Sequence, residues 1–170
     1  MIDTDFLVIH STDTPEGQNF SPRQITLHHT TPIQKGGLGF NRSGFDYLIL
    51  RDGTLAVLTD INTPTDVDLW GLTGGARGIS GRLQHLAYVG GRTLKGKFWK
   101  DTRTDAQLEA METLVQFCVL RFPNIVILGR DDPNRMMESQ NPAFDVNKWL
   151  ALNGIPVRNR YRRLPIISTT

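Results

Sequence analysis

The sequence predicts a single α/β domain in which helices flank a mixed central β-sheet. Short apolar runs alternate with segments of helical periodicity along the chain. No linker-like run divides the 170 residues into two halves, and this length is sufficient for one buried core. A hydrophobic content of 39% with 21% charged residues is typical of a folded globular domain.

Apolar runs predict the strands of this sheet. The first run ends at His10 and therefore places this imidazole at the C-terminal end of a buried strand. Asp52-Gly53 separates two of the runs and tolerates the positive φ of a tight turn, which predicts a β-hairpin. The predicted strands are residues 6–9, 45–50, 54–58, 83–89 and 125–128.

Capping signals and helical periodicity predict the helices. Ser21-Pro22 is typical of a helix start, and that helix is expected to end near His29. The capping-box pair Thr104 and Gln107 precedes apolar residues at helical spacing, up to a stop at Pro123. A last helix is expected over residues 144–152. The long glycine-rich loop 59–80 is expected to be functional.

Charge and composition argue against several classes of function. Apart from four arginines near the end of the chain the protein is close to neutral, so no nucleic-acid partner is expected. No stretch has the apolar length of a membrane span. Cys118 is the only cysteine and lies in a helical apolar pattern, which predicts a core position without a disulfide. The four arginines are Arg158, Arg160, Arg162 and Arg163.

The residues at the two ends of the chain give limited information about the cellular location and contacts of the protein. The acidic N-terminal residues 1–5 are unlike a secretory signal, so synthesis in the cytoplasm without a signal peptide is expected. The sequence does not determine the compartment in which the protein finally acts, and association with a virion or another assembly is one of the alternatives. The basic run near the C-terminus is followed by the apolar residues 164–167, and this tail suits either a solvated end or docking on another chain.

Four groups of residues resemble successive landmarks of the zinc-dependent N-acetylmuramoyl-L-alanine amidases, a family that includes phage endolysins and peptidoglycan recognition proteins. The resemblance spans residues 5–152 and implies an amidase-like domain over residues 1–154, with a tail over 155–170. It also implies a zinc ion, held by three protein ligands, that activates a water for amide hydrolysis. The groups are Val8-Ile9-His10-Ser11-Thr12, Gly44-Phe45-Asp46-Tyr47, Tyr88-Val89-Gly90-Gly91, and Arg130-Asp131 with Asn141-Pro142-Ala143-Phe144-Asp145-Val146.

The same resemblance implies that most of the catalytic groups are lost. His10 matches the first zinc ligand. Gly129 matches the second, a histidine, and Asn141 matches the third, a cysteine, although neither replaces such a ligand well. Phe45 and Ser139 match a tyrosine and a lysine that support the transition state. We therefore expect no catalytic residues and no bound zinc, because one remaining histidine does not form a tight site.

Six residues are expected to line the substrate groove: His10, His29, Phe45, Asp46, Trp70 and Asn141. His28 and His29 follow each other on a helix and point about 100° apart, so one of them at most is expected to face the groove. Trp70 and Trp99 suit stacking on sugar rings, but they equally suit covering a core or filling a protein interface.

A metal site rebuilt from other groups remains an alternative. Its candidates are His10, His29, Asp46, His85, Asp131 and Asp132. For each candidate another role is favoured over metal binding. The apolar run around His85 predicts a core or interface histidine, and Asp46 is predicted to be a solvated or hydrogen-bonded carboxylate. Asp131 is predicted to form an ion pair with Arg130 or to accept hydrogen bonds from the adjoining loop.

The leading hypothesis is a catalytically inactive amidase-fold protein that acts as a structural or binding component of a phage-derived or cell-envelope-directed assembly. Protein partners would bind through its tail and loops. A second hypothesis is a module that binds peptidoglycan fragments without cutting them. A third is an active amidase with a rearranged zinc site.

Overall fold

The computed structural model describes residues 3–59, 81–132 and 141–162, and these form the mixed sheet and flanking helices that the sequence predicts. The strands are β1 (Phe6–Ser11), β2 (Thr14–Pro15), β3 (Tyr47–Ile49), β4 (Leu55–Val57), β5 (Leu83–Tyr88), β6 (Gly91–Arg92) and β7 (Val126–Gly129). The helices are α1 (Pro22–Thr30), α2 (Asp105–Arg121) and α3 (Val146–Leu152), with short 3-10 turns at Ile33–Lys35 and Val157–Asn159. None of the described helices is long and apolar enough to cross a membrane.

Strand β1 lies inside the main sheet, whose order is β4-β3-β5-β1-β7. It runs parallel to β5 and β7, and β3 runs parallel to β5. The predicted hairpin supplies the antiparallel pair β3 and β4. A separate parallel pair, β2 with β6, was not predicted, because two-residue strands carry no periodic signal.

Local side-chain bonds fix the starts of the first two helices. The Ser21 hydroxyl accepts from the Gln24 backbone N–H while the Gln24 side chain accepts from the Ser21 N–H, which is the reciprocal capping box. Thr104 and Gln107 repeat this arrangement at α2. Fully buried Gln107 also donates to the carbonyls of Ile49 and Val89, so it ties α2 to the sheet.

Successive side chains of β1 point to opposite faces of the sheet. Leu7 and Ile9 belong to the larger core, which includes the buried residues of α2 and α3. Cys118 lies in this core, as the sequence predicts. Val8 belongs to a cluster on the opposite face. His10 therefore shares the side of Val8, and α1 covers part of that side through Ile25.

The chain beyond α3 packs back onto the domain. Asn159 is fully buried and donates to the carbonyls of Pro123 and Ile125, and the Tyr161 N–H donates to Ile127 in β7. The expected boundary at residue 154 thus falls inside a packed region that extends to Tyr161. Residues 163–170, which contain the apolar end of the predicted tail, lie outside the described part of the chain.

Candidate functional site

A cavity of about 640 Å³ opens where β1 and β7 end, and α1 forms one of its walls. Aromatic rings supply much of its surface, and the C-terminal ends of parallel strands are a common place for ligand sites. Its polar lining includes three imidazoles, one guanidinium and two amides. These aromatic and polar residues are Phe20, Phe40, Phe45, Trp99, His10, His28, His29, Arg130, Gln24 and Asn141.

His10 is buried and makes a direct contact with a second histidine. Its Nε2 lies 2.9 Å from Nδ1 of His85, so one of these nitrogens donates a proton to the other. Burial, followed by the charges of His85, Arg130 and His29, lowers the pKa of His10 well below its ordinary value. Burial also lowers the pKa of His85 to about 3. Both rings are therefore neutral at neutral pH, and the Nε2 of His10 is already engaged.

Phe45 lies between the imidazoles of His10 and His29. Its ring centroid is 5.2 Å from that of His10 and 4.8 Å from that of His29. The Nδ1 of His29 accepts from the Gly44 N–H at 2.9 Å, and burial lowers its pKa to about 4. Both His28 and His29 line the cavity, so the prediction that one of them at most faces it is wrong.

Asp46 is turned into the protein and does not line this cavity, contrary to its predicted place in the groove. Its carboxylate accepts from the His85 N–H at 2.7 Å and from the Thr59 hydroxyl, and Arg42 lies 3.6 Å away. Burial raises the pKa of Asp46, against the opposing effect of these partners. Its backbone N–H also donates to the His85 carbonyl, so the hydrogen bonds of Asp46 join it to β5.

The amide of Asn141 is bonded to the backbone of Ser11. Its Oδ1 accepts from the Ser11 N–H at 2.9 Å and its Nδ2 donates to the Ser11 carbonyl at 3.2 Å. Strand β7 ends opposite Ile9, so this amide continues the hydrogen bonding of β1 beyond the end of its neighbour. The amide oxygen that would have to bind a metal therefore already accepts one hydrogen bond, and the orientation of the amide is fixed by both contacts.

The residue that shares the cavity with His10 is Arg130 rather than Gly129. Gly129 is in register with Ile9, and a Cβ at Gly129 would lie 3.0 Å from Val146 in α3. Arg130 follows on the opposite side and lines the cavity. Gly129 itself does not line the cavity, because successive residues of a strand point to opposite sides, and its match to the second zinc ligand stays a prediction.

Solved structures with a similar fold include amidases and peptidoglycan recognition proteins. The Ph2119 endolysin from a Thermus scotoductus bacteriophage is 21% identical with a TM-score of 0.61, over 91% of this chain and 88% of that chain. The amidase LysCS from Clostridium intestinale is 18% identical with a TM-score of 0.63, over 91% and 86%. Drosophila PGRP-LB is 15% identical with a TM-score of 0.59, over 89% and 81%.

The chain has the amidase fold. This fold is the one that the sequence motifs predict. Neither a family model nor a curated protein matches the sequence. At these low identities the structural likeness establishes the architecture, and the side chains of the site carry the argument about chemistry.

The zinc ion that the amidase fold implies does not fit the residues of this cavity. A catalytic zinc needs three donors with available lone pairs. One nitrogen of His10 and the oxygen of Asn141 are engaged, and Arg130 adds a permanent positive charge to the same wall. In the described ranges there is no group of three or more histidine, cysteine or acidic side chains that could hold a metal.

Trp99 adds an aromatic wall to the cavity of this amidase fold. Arg92 lies 3.7 Å from the centroid of its ring and forms an ion pair with Asp13 at the rim. Arg92 thus covers one face of the ring while Trp99 also lines the cavity, and the two predicted roles of Trp99 stay predictions. Trp70 and Ser139, two other residues predicted for the site, lie outside the described part of the chain.

Proposed function

We propose that this protein binds peptidoglycan fragments without hydrolysing them. The observation that supports this proposal is a cavity of about 640 Å³ with aromatic walls, in which His10 and Asn141 are engaged in hydrogen bonds within the protein. One matched structure is human PGRP-IBETAC in complex with glycosamyl muramyl pentapeptide, at 17% identity and a TM-score of 0.57. A ligand of that chemical class is the one we assign to this cavity.

The site residues argue against hydrolysis. With one nitrogen of His10 engaged and Asn141 bonded to Ser11, the described residues offer no set of three donors that would activate a water through zinc. Phe45 brings no hydroxyl to the place where the resemblance implies a tyrosine. Loss of a single transition-state donor reduces the rate by roughly 10² to 10³. We therefore expect no turnover above the uncatalysed reaction.

Calorimetric titration of the full chain with a muramyl peptide tests the binding. We expect a dissociation constant on the order of micromolar. Trp99→Leu should weaken binding, because the sugar ring of the ligand loses an aromatic surface on which to stack. Phe117→Leu is the matched control, since Phe117 is exposed on α2 in a different groove. Absence of heat at millimolar ligand would contradict the proposal.

A muropeptide-release assay with added zinc tests the absence of hydrolysis. The expected result is no released peptide from the wild type or from His10→Ala. Release that requires both zinc and His10 would establish the active amidase with a rearranged site instead.

The second candidate function is that of a structural component in a phage-derived or cell-envelope-directed assembly. Large apolar side chains that stay exposed favour it, because such groups are used in protein interfaces. They include Leu94, Phe98, Leu120 and Leu152, which are 61% to 82% exposed. Mass spectrometry of purified particles checks this candidate: the chain should be present in fixed stoichiometry, and its absence from particles would count against it.

A further inference from the structure

The cavity contains one permanent positive charge whose side chain is held in place. Among the described residues that line it, Arg130 is the only lysine or arginine. Its Nη1 donates to Oδ1 of Asp131 at 2.7 Å, and the other carboxylate oxygen of Asp131 accepts from the Asn141 N–H at 2.9 Å. The guanidinium is thereby fixed beside His10, and 31% of the side chain is exposed.

The ion pair with Asp131 uses only part of the capacity of Arg130. A guanidinium has several N–H donors in a planar fork, and one of them donates to Asp131. A fork of this kind binds a carboxylate through two parallel hydrogen bonds. Because Arg130 is anchored before a ligand arrives, little side-chain entropy is lost when it binds.

We infer that Arg130 makes this cavity a receptor for a carboxylate of the ligand. The inference rests on the proposed function and adds the chemical group by which the peptide part of a muropeptide is recognised. A singly charged, planar anion suits the surroundings, since Asp131 already offsets part of the charge and Asp13 at the rim is paired with Arg92. A phosphate would call for more cations than this wall offers.

The test compares two ligands that differ only in this group. One is a muramyl dipeptide that ends in a free carboxylate, and the other is the same compound with that carboxylate converted to a primary amide. Calorimetry with the wild-type chain should show binding of the acid that is roughly 10- to 100-fold tighter than binding of the amide.

Variants of Arg130 separate ligand recognition from a structural role. Arg130→Gln should weaken binding of the acid by about 10- to 100-fold and leave binding of the amide unchanged. Arg130→Lys, which keeps the charge without the fork, should give an intermediate affinity for the acid. Arg121→Gln, at the end of α2 on the other side of the sheet, is the control and should change neither affinity.

Each further outcome overturns a defined part of the inference. Equal affinity of the wild type for acid and amide, or equal losses for both ligands in Arg130→Gln, would show that Arg130 has a structural role only. Displacement of the acid by inorganic phosphate would contradict selectivity for carboxylate. If neither muramyl compound binds to the wild type, the proposed function fails together with this inference.

Discussion

Replacement of Asn141 by alanine distinguishes a structural amide from a vestigial metal ligand. The change removes two hydrogen bonds, at 2.9 and 3.2 Å, to the backbone of Ser11, which is 2% exposed. A buried backbone group that loses its partner is destabilised by about 1 to 3 kcal/mol, and water from the adjoining cavity reduces that loss. We therefore expect the free energy of unfolding to fall by about 2 to 4 kcal/mol.

Urea denaturation of Asn141→Ala measures this loss. With a dependence of about 2 kcal/mol per molar urea, the middle of the usual range, the midpoint should fall by roughly 1 to 2 M. The loss should be equal in chelator and in added zinc. Asn153→Ala is the control, since Asn153 makes a single side-chain bond to Trp149 and should lower the free energy by about 1 kcal/mol or less. A loss below about 0.5 kcal/mol for Asn141→Ala, or one seen only with zinc, would refute the reasoning.

Three further predictions concern the placement of other residues. Gly129→Ala should destabilise the fold by about 1 to 3 kcal/mol in urea titrations, because its Cβ would press on Val146 and Pro142; a neutral change would contradict the register at β7. The free energy of unfolding should fall as the pH is lowered from about 7 to about 5. Burial lowers the pKa values of His10, His29 and His85 in the folded protein, so over this range their imidazoles bind protons only in the unfolded chain. A flat profile would contradict their burial. Cys118, whose pKa burial raises to about 12, should not react with a thiol reagent before unfolding, and rapid native labelling would contradict its core position.

Features with local causes could be predicted from the sequence. The helix start at Ser21-Pro22 and the capping box at Thr104 depend only on residues that are close in sequence, and both are present. The hairpin around Asp52-Gly53 likewise depends on its own turn. Because these signals alternate with apolar runs, they were sufficient to predict the mixed sheet and its helices.

The site depends on contacts between distant parts of the chain, and there sequence reasoning was less successful. The choice between Gly129 and Arg130 rests on the register of β7 against β1, which no local pattern fixes. The bond between Asn141 and Ser11 joins residues 130 positions apart. The contact of His10 with His85 follows from the pairing of β1 with β5. Matching the strand parity of each candidate to His10 is the signal that could have identified Arg130.

The zinc content of the purified protein tests the central claim most directly. After equilibration with micromolar free zinc and removal of the unbound metal, elemental analysis should show far less than one zinc per chain, with the same content in His10→Ala. One zinc per chain that disappears in His10→Ala would show that the cavity is a metal centre and contradict the account.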